Sequence, residues 1–195
     1  QWQSPGILAG KDLQAGGTWL GLSTDGKFSA LTNFRQSLTE AANKRSRGEL
    51  VLKALTTEAE SFTNQLPGIA KHYNGFNLIF GHLNKLICFD SVNRSFHWLT
   101  PGFHSICNGS LDDIWPKMAL GQQYLAQAIN QSAESGQSLE INTLFSLMKN
   151  SQQAKQKELP DTGIALEWEQ RLSSIFIVSN DYGTRSTTVL LQKKN

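Results

Sequence analysis

Apolar and polar residues alternate with a period of two through Trp19 to Ser23 and again through Phe28 to Thr32. That is the repeat of a strand with one covered face. Asp25-Gly26 between the two runs predicts a hairpin, because both residues tolerate the positive φ of a tight turn. The period then lengthens. In "KRSRGELVLKAL" Val51, Ala54 and Leu55 fall on one side of a helix, and Thr57 with Glu60 predicts a capping box for a second, short helix that Pro67 ends. Four apolar or alternating segments follow, "GFNLIFG", "LICFDS", "SFHWLT" and "FHSICN", separated by turn residues such as Asn84, Asn93 and Pro101-Gly102. They predict an antiparallel meander.

Helical spacing returns in "DDIWPKMALGQQYLAQAIN", where acidic residues and a proline stand at the start, as helix N-termini favour, and Met118, Leu125 and Ile129 recur near one face. After Ser138, the positions Ile141, Leu144, Phe145 and Met148 give a further helix with a clear inner face. Polar residues 150–158 read as a connecting loop. The chain closes on "SIFIVS" and "TRSTTVLL", which predict an antiparallel pair over 174–178 and 184–191 across the turn Asn180-Asp181-Tyr182-Gly183. Ile175 to Val178 is continuously apolar, so that strand is expected to be covered on both faces. Alternation puts Arg185 on one face with Thr187, Val189 and Leu191, a guanidinium at the head of an otherwise buried-looking row. Stacked sheets inside helices are the expected arrangement.

Composition narrows the function classes. With 39% hydrophobic and 17% charged residues, the 195-residue chain reads as a single globular domain over 1–195. A net charge of +2 and the lack of any Lys/Arg tract argue against a nucleic-acid partner. Cys88 and Cys107 have no CxxC spacing, so they read as free thiols of a reducing, cytoplasmic compartment and give no metal site. No apolar run approaches about 18 residues, and no membrane span is expected.

The segments "LAGKDLQAGGTWLGLSTDGKFSALTNFR", "RSRGELV", "YNGFNLI", "LDDIWPKM", "LPDTGIALEWEQRLSSIFI" and "YGTRSTTVLL", in this order and over nearly the whole chain, resemble the NRDE family, also called the Transport and Golgi organization 2 family. The resemblance implies an α+β fold, an Ntn-hydrolase-like four-layer α/β/β/α sandwich with mainly antiparallel sheets. In function it implies cytosolic heme trafficking, with heme as the transported ligand, or the handling of another small amphipathic acyl compound. The alternative it carries is an Ntn-type amidohydrolase or acyltransferase. Relatives begin with Met-Cys and carry an Asn-Arg-Asp-Glu signature about a strand later; this sequence has neither, so it is expected to be N-terminally incomplete and to lack the nucleophile.

By motif order the resemblance places Asn33, Asn108 and Arg185 in the hydrolase site. An Asn amide donates to a developing oxyanion without adding charge, and an Arg stays protonated beside a thiolate or carboxylate. On the residues alone, Asn33 and Asn108 also read as turn formers at strand ends, and Arg185 as a surface partner of Asp181, Glu167 or Glu169. Arg45 and Arg47 stand just before a predicted helix, where a cation is unfavourable unless an acid or an anion offsets it. Either they pair with Glu49, or with Arg35 they hold ligand carboxylates; Trp19 and Arg185 complete the expected ligand-binding set. His72, His82, His97 and His104 have no paired spacing. His97 and His104 are the nearest candidates for a heme ligand, yet no axial residue is identified.

Overall fold

The computed structural model describes residues 6–35, 41 and 43–192, which fall into two compact units. The first runs up to Gly102 and takes in Ile106–Leu111; the second comprises Phe103–Ser105 and the chain from Asp112 on. The chain is α+β, as expected, and its strands pair antiparallel.

In the first unit six strands lie in chain order: β1 (Ile7–Ala9), β2 (Leu20–Ser23), β3 (Lys27–Asn33), β4 (Phe76–His82), β5 (Lys85–Asp90) and β6 (Ser95–Trp98). The β2–β3 hairpin forms, but its turn differs from the expectation. Only Gly26 takes a positive φ, of 83°, and its N–H donates to Ser23 O at 3.0 Å. The connection is therefore a three-residue loop with glycine as the left-handed residue, a shape that leaves Asp25 free to accept from the Ser23 hydroxyl.

Helices α1 (Gly48–Thr56) and α2 (Ala59–Ala70) belong to the core of this sheet. Leu50, Val51, Ala54 and Leu55 of α1, with Phe62, Leu66 and Ala70 of α2, cluster with Leu31, Phe76, Leu78, Phe80, Ile87 and Phe89. The register explains the grouping, since Leu31, Leu78 and Phe89 are directly opposite one another on successive strands. Phe62 meets Phe80 edge to face with centroids 5.2 Å apart. Two helix-end expectations are corrected. Glu58, not Thr57, caps α2, accepting from Ser61 N–H at 2.8 Å. Pro67 lies inside α2 because its ring is on the exposed side, while buried Leu66 and Ala70 hold the last turn against the core.

The fourth meander segment, 103–108, is not a strand. Its backbone bonds go to a turn instead: Asp112 N–H donates to Ser105 O, and Ser105 N–H to the Asp112 carboxylate, each at 2.8 Å. In the second unit α3 (Pro116–Ser135) starts at its proline and α4 (Ile141–Met148) at the expected isoleucine; α5 (Leu166–Arg171) was not foreseen. The expected strand pair 174–178 and 184–191 does not form. A single bridge joins Val178 to Gly183, and Val178 is 68% exposed. Side chains take the places of ladder partners here: Thr184 Oγ1 accepts from Ile177 N–H at 2.9 Å, and Ser179 Oγ donates to Tyr182 O at 2.6 Å. Among the described residues there is one sheet, with no second sheet for such a pair to join.

Candidate functional site

Two polar sites lie within the first unit. The first is an open cavity of about 410 Å³ lined by Asp12, Trp19, Lys44, Arg45, Ser46, Arg47 and Asn74 together with two alanines. One wall is a turn. Asp12 Oδ1 accepts from the N–H groups of Gln14 and Ala15, and Asp12 N–H donates to Gly17 O at 2.8 Å. Gly17 then lies against the start of α1 so closely that a Cβ there would be 2.6 Å from the Gly48 carbonyl carbon. Thr18 N–H reaches Gly48 O at 3.2 Å, which sets Trp19, 43% exposed, beside Ser46 and Arg47.

The opposite wall is cationic, and each cation is anchored. Arg45 forms a two-pronged pair with Glu49, Nε to Oε1 at 2.7 Å and Nη2 to Oε2 at 2.8 Å. This answers the choice left open by the sequence: Arg45 pairs with Glu49 and still lines the cavity. The Tyr73 hydroxyl donates to the same carboxylate at 2.5 Å, and the Arg45 guanidinium lies 5.4 Å from the Tyr73 ring centre. Burial, then the Glu49 carboxylate, pushes the Tyr73 phenol far above its usual range; the hydrogen bond to Glu49 raises the Arg45 pKa in turn. Arg47 Nη1 donates to Gly75 O at 3.2 Å and Lys44 Nζ to Lys71 O at 2.7 Å. An exposed indole facing three tethered cations suits a flat molecule with anionic groups on its edge.

The second site is the end of the sheet where β3, β4 and β5 meet the loop Ile106–Leu111. Asn108 Nδ2 donates to the Asn33 backbone carbonyl at 2.9 Å, and Arg35 approaches Asn108 twice, N–H to its backbone O at 2.6 Å and Nη2 to Oδ1 at 3.3 Å. The structure thus brings Asn33 and Asn108 together, 75 positions apart. Arg35 is not among the described residues that line the cavity; it bonds Asn108, while Arg47 and the N–H of neighbouring Phe34 donate to the same Gly75 carbonyl. Arg185 is an exposed residue of the second unit, in a stretch without strand structure.

Sequence reasoning missed the residues that hold this loop down. Asn77, 1% exposed, donates through Nδ2 to Gly109 O at 2.7 Å and to Thr32 Oγ1 at 3.3 Å. Asp90, equally buried, accepts from Val92 N–H, from both the N–H and Nδ2 of Asn93, and from the Ser110 hydroxyl. A signal was present: each is a polar residue inside an apolar strand run, "GFNLIF" and "LICFD". Among the described residues, the side-chain oxygens of Asn33 and Asn77 are buried without a partner.

The candidate heme ligands lie elsewhere. His97 is exposed with Nε2 2.9 Å from Ser95 Oγ, and His104 Nδ1 is 2.7 Å from Asp112 Oδ2. Neither is among the described residues that line the cavity, and none of those described residues is a His, Cys, Met or Tyr. No group of three or more His, Cys, Asp or Glu among the described residues is placed to hold a metal ion, and no described helix is long and apolar enough to cross a membrane.

The family model described as Transport and Golgi organisation 2 matches residues 1–195. The chain is similar to the Transport and Golgi organization protein 2 homolog of Homo sapiens, 33% identical over 95% of this chain and 72% of the relative. Similarity to the homolog of Bos taurus is 32% over the same shares, and an uncharacterized protein of Saccharomyces cerevisiae is 23% identical over 92% of this chain and 70% of its own length.

Proposed function

The chain belongs to the Transport and Golgi organisation 2 family, and from that premise we propose that it is a cytosolic binding protein for a flat, amphipathic, carboxylate-bearing ligand, heme first among them. One observation carries the reading: Trp19, more than twenty positions away in sequence, lines one cavity with Arg45 and Arg47. The indole offers a ring face, and the guanidinium and ammonium groups offer partners for propionates. The cavity fits the organic part of heme and not its iron, because its lining among the described residues offers no axial ligand type. Binding through the periphery alone suits a carrier, which must release its cargo.

Hemin titrated into the protein should give a saturable change in Soret absorbance. Trp19→Ala and Arg45→Ala should each weaken it, the latter about tenfold or more, as expected for a charge-assisted hydrogen bond of roughly 1.5–3 kcal/mol. Undiminished affinity in both variants would place the ligand elsewhere.

A second reading, an amidohydrolase or acyltransferase, is supported by the Asn33–Asn108–Arg35 knot, which has the donors an acyl-transfer site uses. It expects amide or acyl turnover that falls about a hundredfold in Asn108→Ala. Hemin would then act at most as an inhibitor.

A further inference from the structure

We infer that the Nη1–Nη2 edge of Arg45 is a carboxylate subsite and that Glu49 and Tyr73 are its positioning residues, a subsite that presupposes the binding role proposed above. A guanidinium is planar, and its five N–H groups offer two edges on which a carboxylate can bond at two points. Glu49 takes the first edge, Nε to Oε1 at 2.7 Å and Nη2 to Oε2 at 2.8 Å. Among the described residues nothing accepts from the second, formed by Nη1 and the other Nη2 hydrogen. It has the same two-pronged shape, so it fits a second planar carboxylate. Arg45 lines the cavity with its side chain 49% exposed, so a ligand lying there meets it.

Charge on the two walls gives the ligand a direction. Glu49 already offsets Arg45, but Lys44, which also lines the cavity, bonds the neutral Lys71 carbonyl at 2.7 Å, and among the described residues no acid pairs with it. Asp12 lines the cavity from the turn wall and repels an anion there. A carboxylate is therefore drawn to the side of Lys44 and Arg45.

A half-exposed arginine normally samples many rotamers, and a ligand must freeze them when it binds. Here the protein does so beforehand. Tyr73 is buried and meets Phe76 edge to face, with centroids 6.0 Å apart. Its hydroxyl donates to Glu49 Oε1 at 2.5 Å and ties that carboxylate to the core. The carboxylate in turn holds Arg45, whose backbone N–H is fixed by His72 O at 3.0 Å. Ring, carboxylate and guanidinium thus set the second edge in place, and the consequence runs against simple electrostatics. Glu49→Gln removes a negative charge beside an anion site, which by charge alone would tighten binding; loss of positioning weakens it instead.

Titrations of hemin and of hemin dimethyl ester into the full chain, read at the Soret band, test this. Tyr73→Phe and Glu49→Gln should each weaken hemin about fivefold, the loss expected when the ligand itself must immobilise one long side chain. Neither should change the affinity of the ester, which has no carboxylates. In an Arg45→Ala background Tyr73→Phe should cost nothing further, because Tyr73 acts through Arg45. Should Glu49→Gln lose its circular dichroism, Tyr73→Phe, which keeps the buried ring, decides alone. Unchanged or tighter hemin binding in either folded variant overturns the inference, and the binding reading survives it if Arg45→Ala still weakens hemin. An equal loss for the ester, or full additivity in the double variant, also overturns it, since either marks a role that is structural only. Hemin affinity undiminished in both Arg45→Ala and Trp19→Ala sinks the binding reading itself, and the subsite with it.

Discussion

Tyr73 shows how one residue can fix the electrostatics of a wall. Its hydroxyl is buried against the Glu49 carboxylate that also holds Arg45, so the cation is oriented from behind by a neutral donor. Burial and the neighbouring carboxylate both favour the protonated phenol, and its folded pKa lies above the unfolded value of about 10. The folded state therefore holds its proton where the unfolded chain releases it. Stability from this group is complete below about pH 10 and is lost as pH rises through the folded value. Denaturant melts should show stability falling more steeply above about pH 10 in the natural protein than in Tyr73→Phe, and near-UV absorbance should show one phenol ionising later than the others. Identical alkaline slopes in the two proteins would contradict the account. Residue types of the cavity were legible in "KRSRGE", because cations at a helix start demand an acid or an anion. Their division was not. Arg35 follows β3 and bonds Asn108, whereas Arg45 bonds Glu49 and Arg47 the Gly75 carbonyl, and a charge pattern in sequence does not encode those partners.

At the scale of elements, the periodic segments that face a packed layer came out as read: β2, β3, α1, β4 and β5 each keep their apolar period and each contribute to one core cluster or the sheet beneath it. Segments that fail are those whose backbone finds side-chain partners. The 103–108 run is turned by Asp112, and the 177–184 run by Thr184 and Ser179, and such competition is invisible to hydrophobic periodicity. Glycine gives a contrast that local sequence also hides. Gly17→Ala should cost about 1–3 kcal/mol or more in chemical denaturation, because its Cβ would meet backbone of Gly48 that cannot move aside. Gly68→Ala, at an exposed position of α2 with nothing within 4 Å of the new Cβ, should stabilise by about 0.5–1 kcal/mol. Equal effects at the two positions would mean that the Gly17–Gly48 approach does not hold the cavity wall.

For the whole molecule, local stability should follow the hydrogen-bond map. Amides within β4 and β5 should exchange slowest, as their strands are paired on both sides and buried in the core. Amides of 185–191 should exchange near the free-peptide rate, since their backbone enters no ladder. Slow exchange there, measured by mass spectrometry on proteolytic fragments, would restore the strand pair that periodicity suggested. By itself the sequence determined the α+β class, the family, the hairpin, the first helices and the residue types that line a basic cavity, because those follow from side-chain period and local charge. Only the tertiary structure decided that Asn77 and Asp90 clamp the loop carrying Asn108, that Pro67 sits harmlessly on an exposed face, and that the backbone of residues 185–191 joins no strand. The physical reason is common to all three. A polar group's partners, a proline's free side and a strand's neighbour are each supplied by residues far away in the chain, and their positions are set by which surfaces the packed sheet and helices leave open.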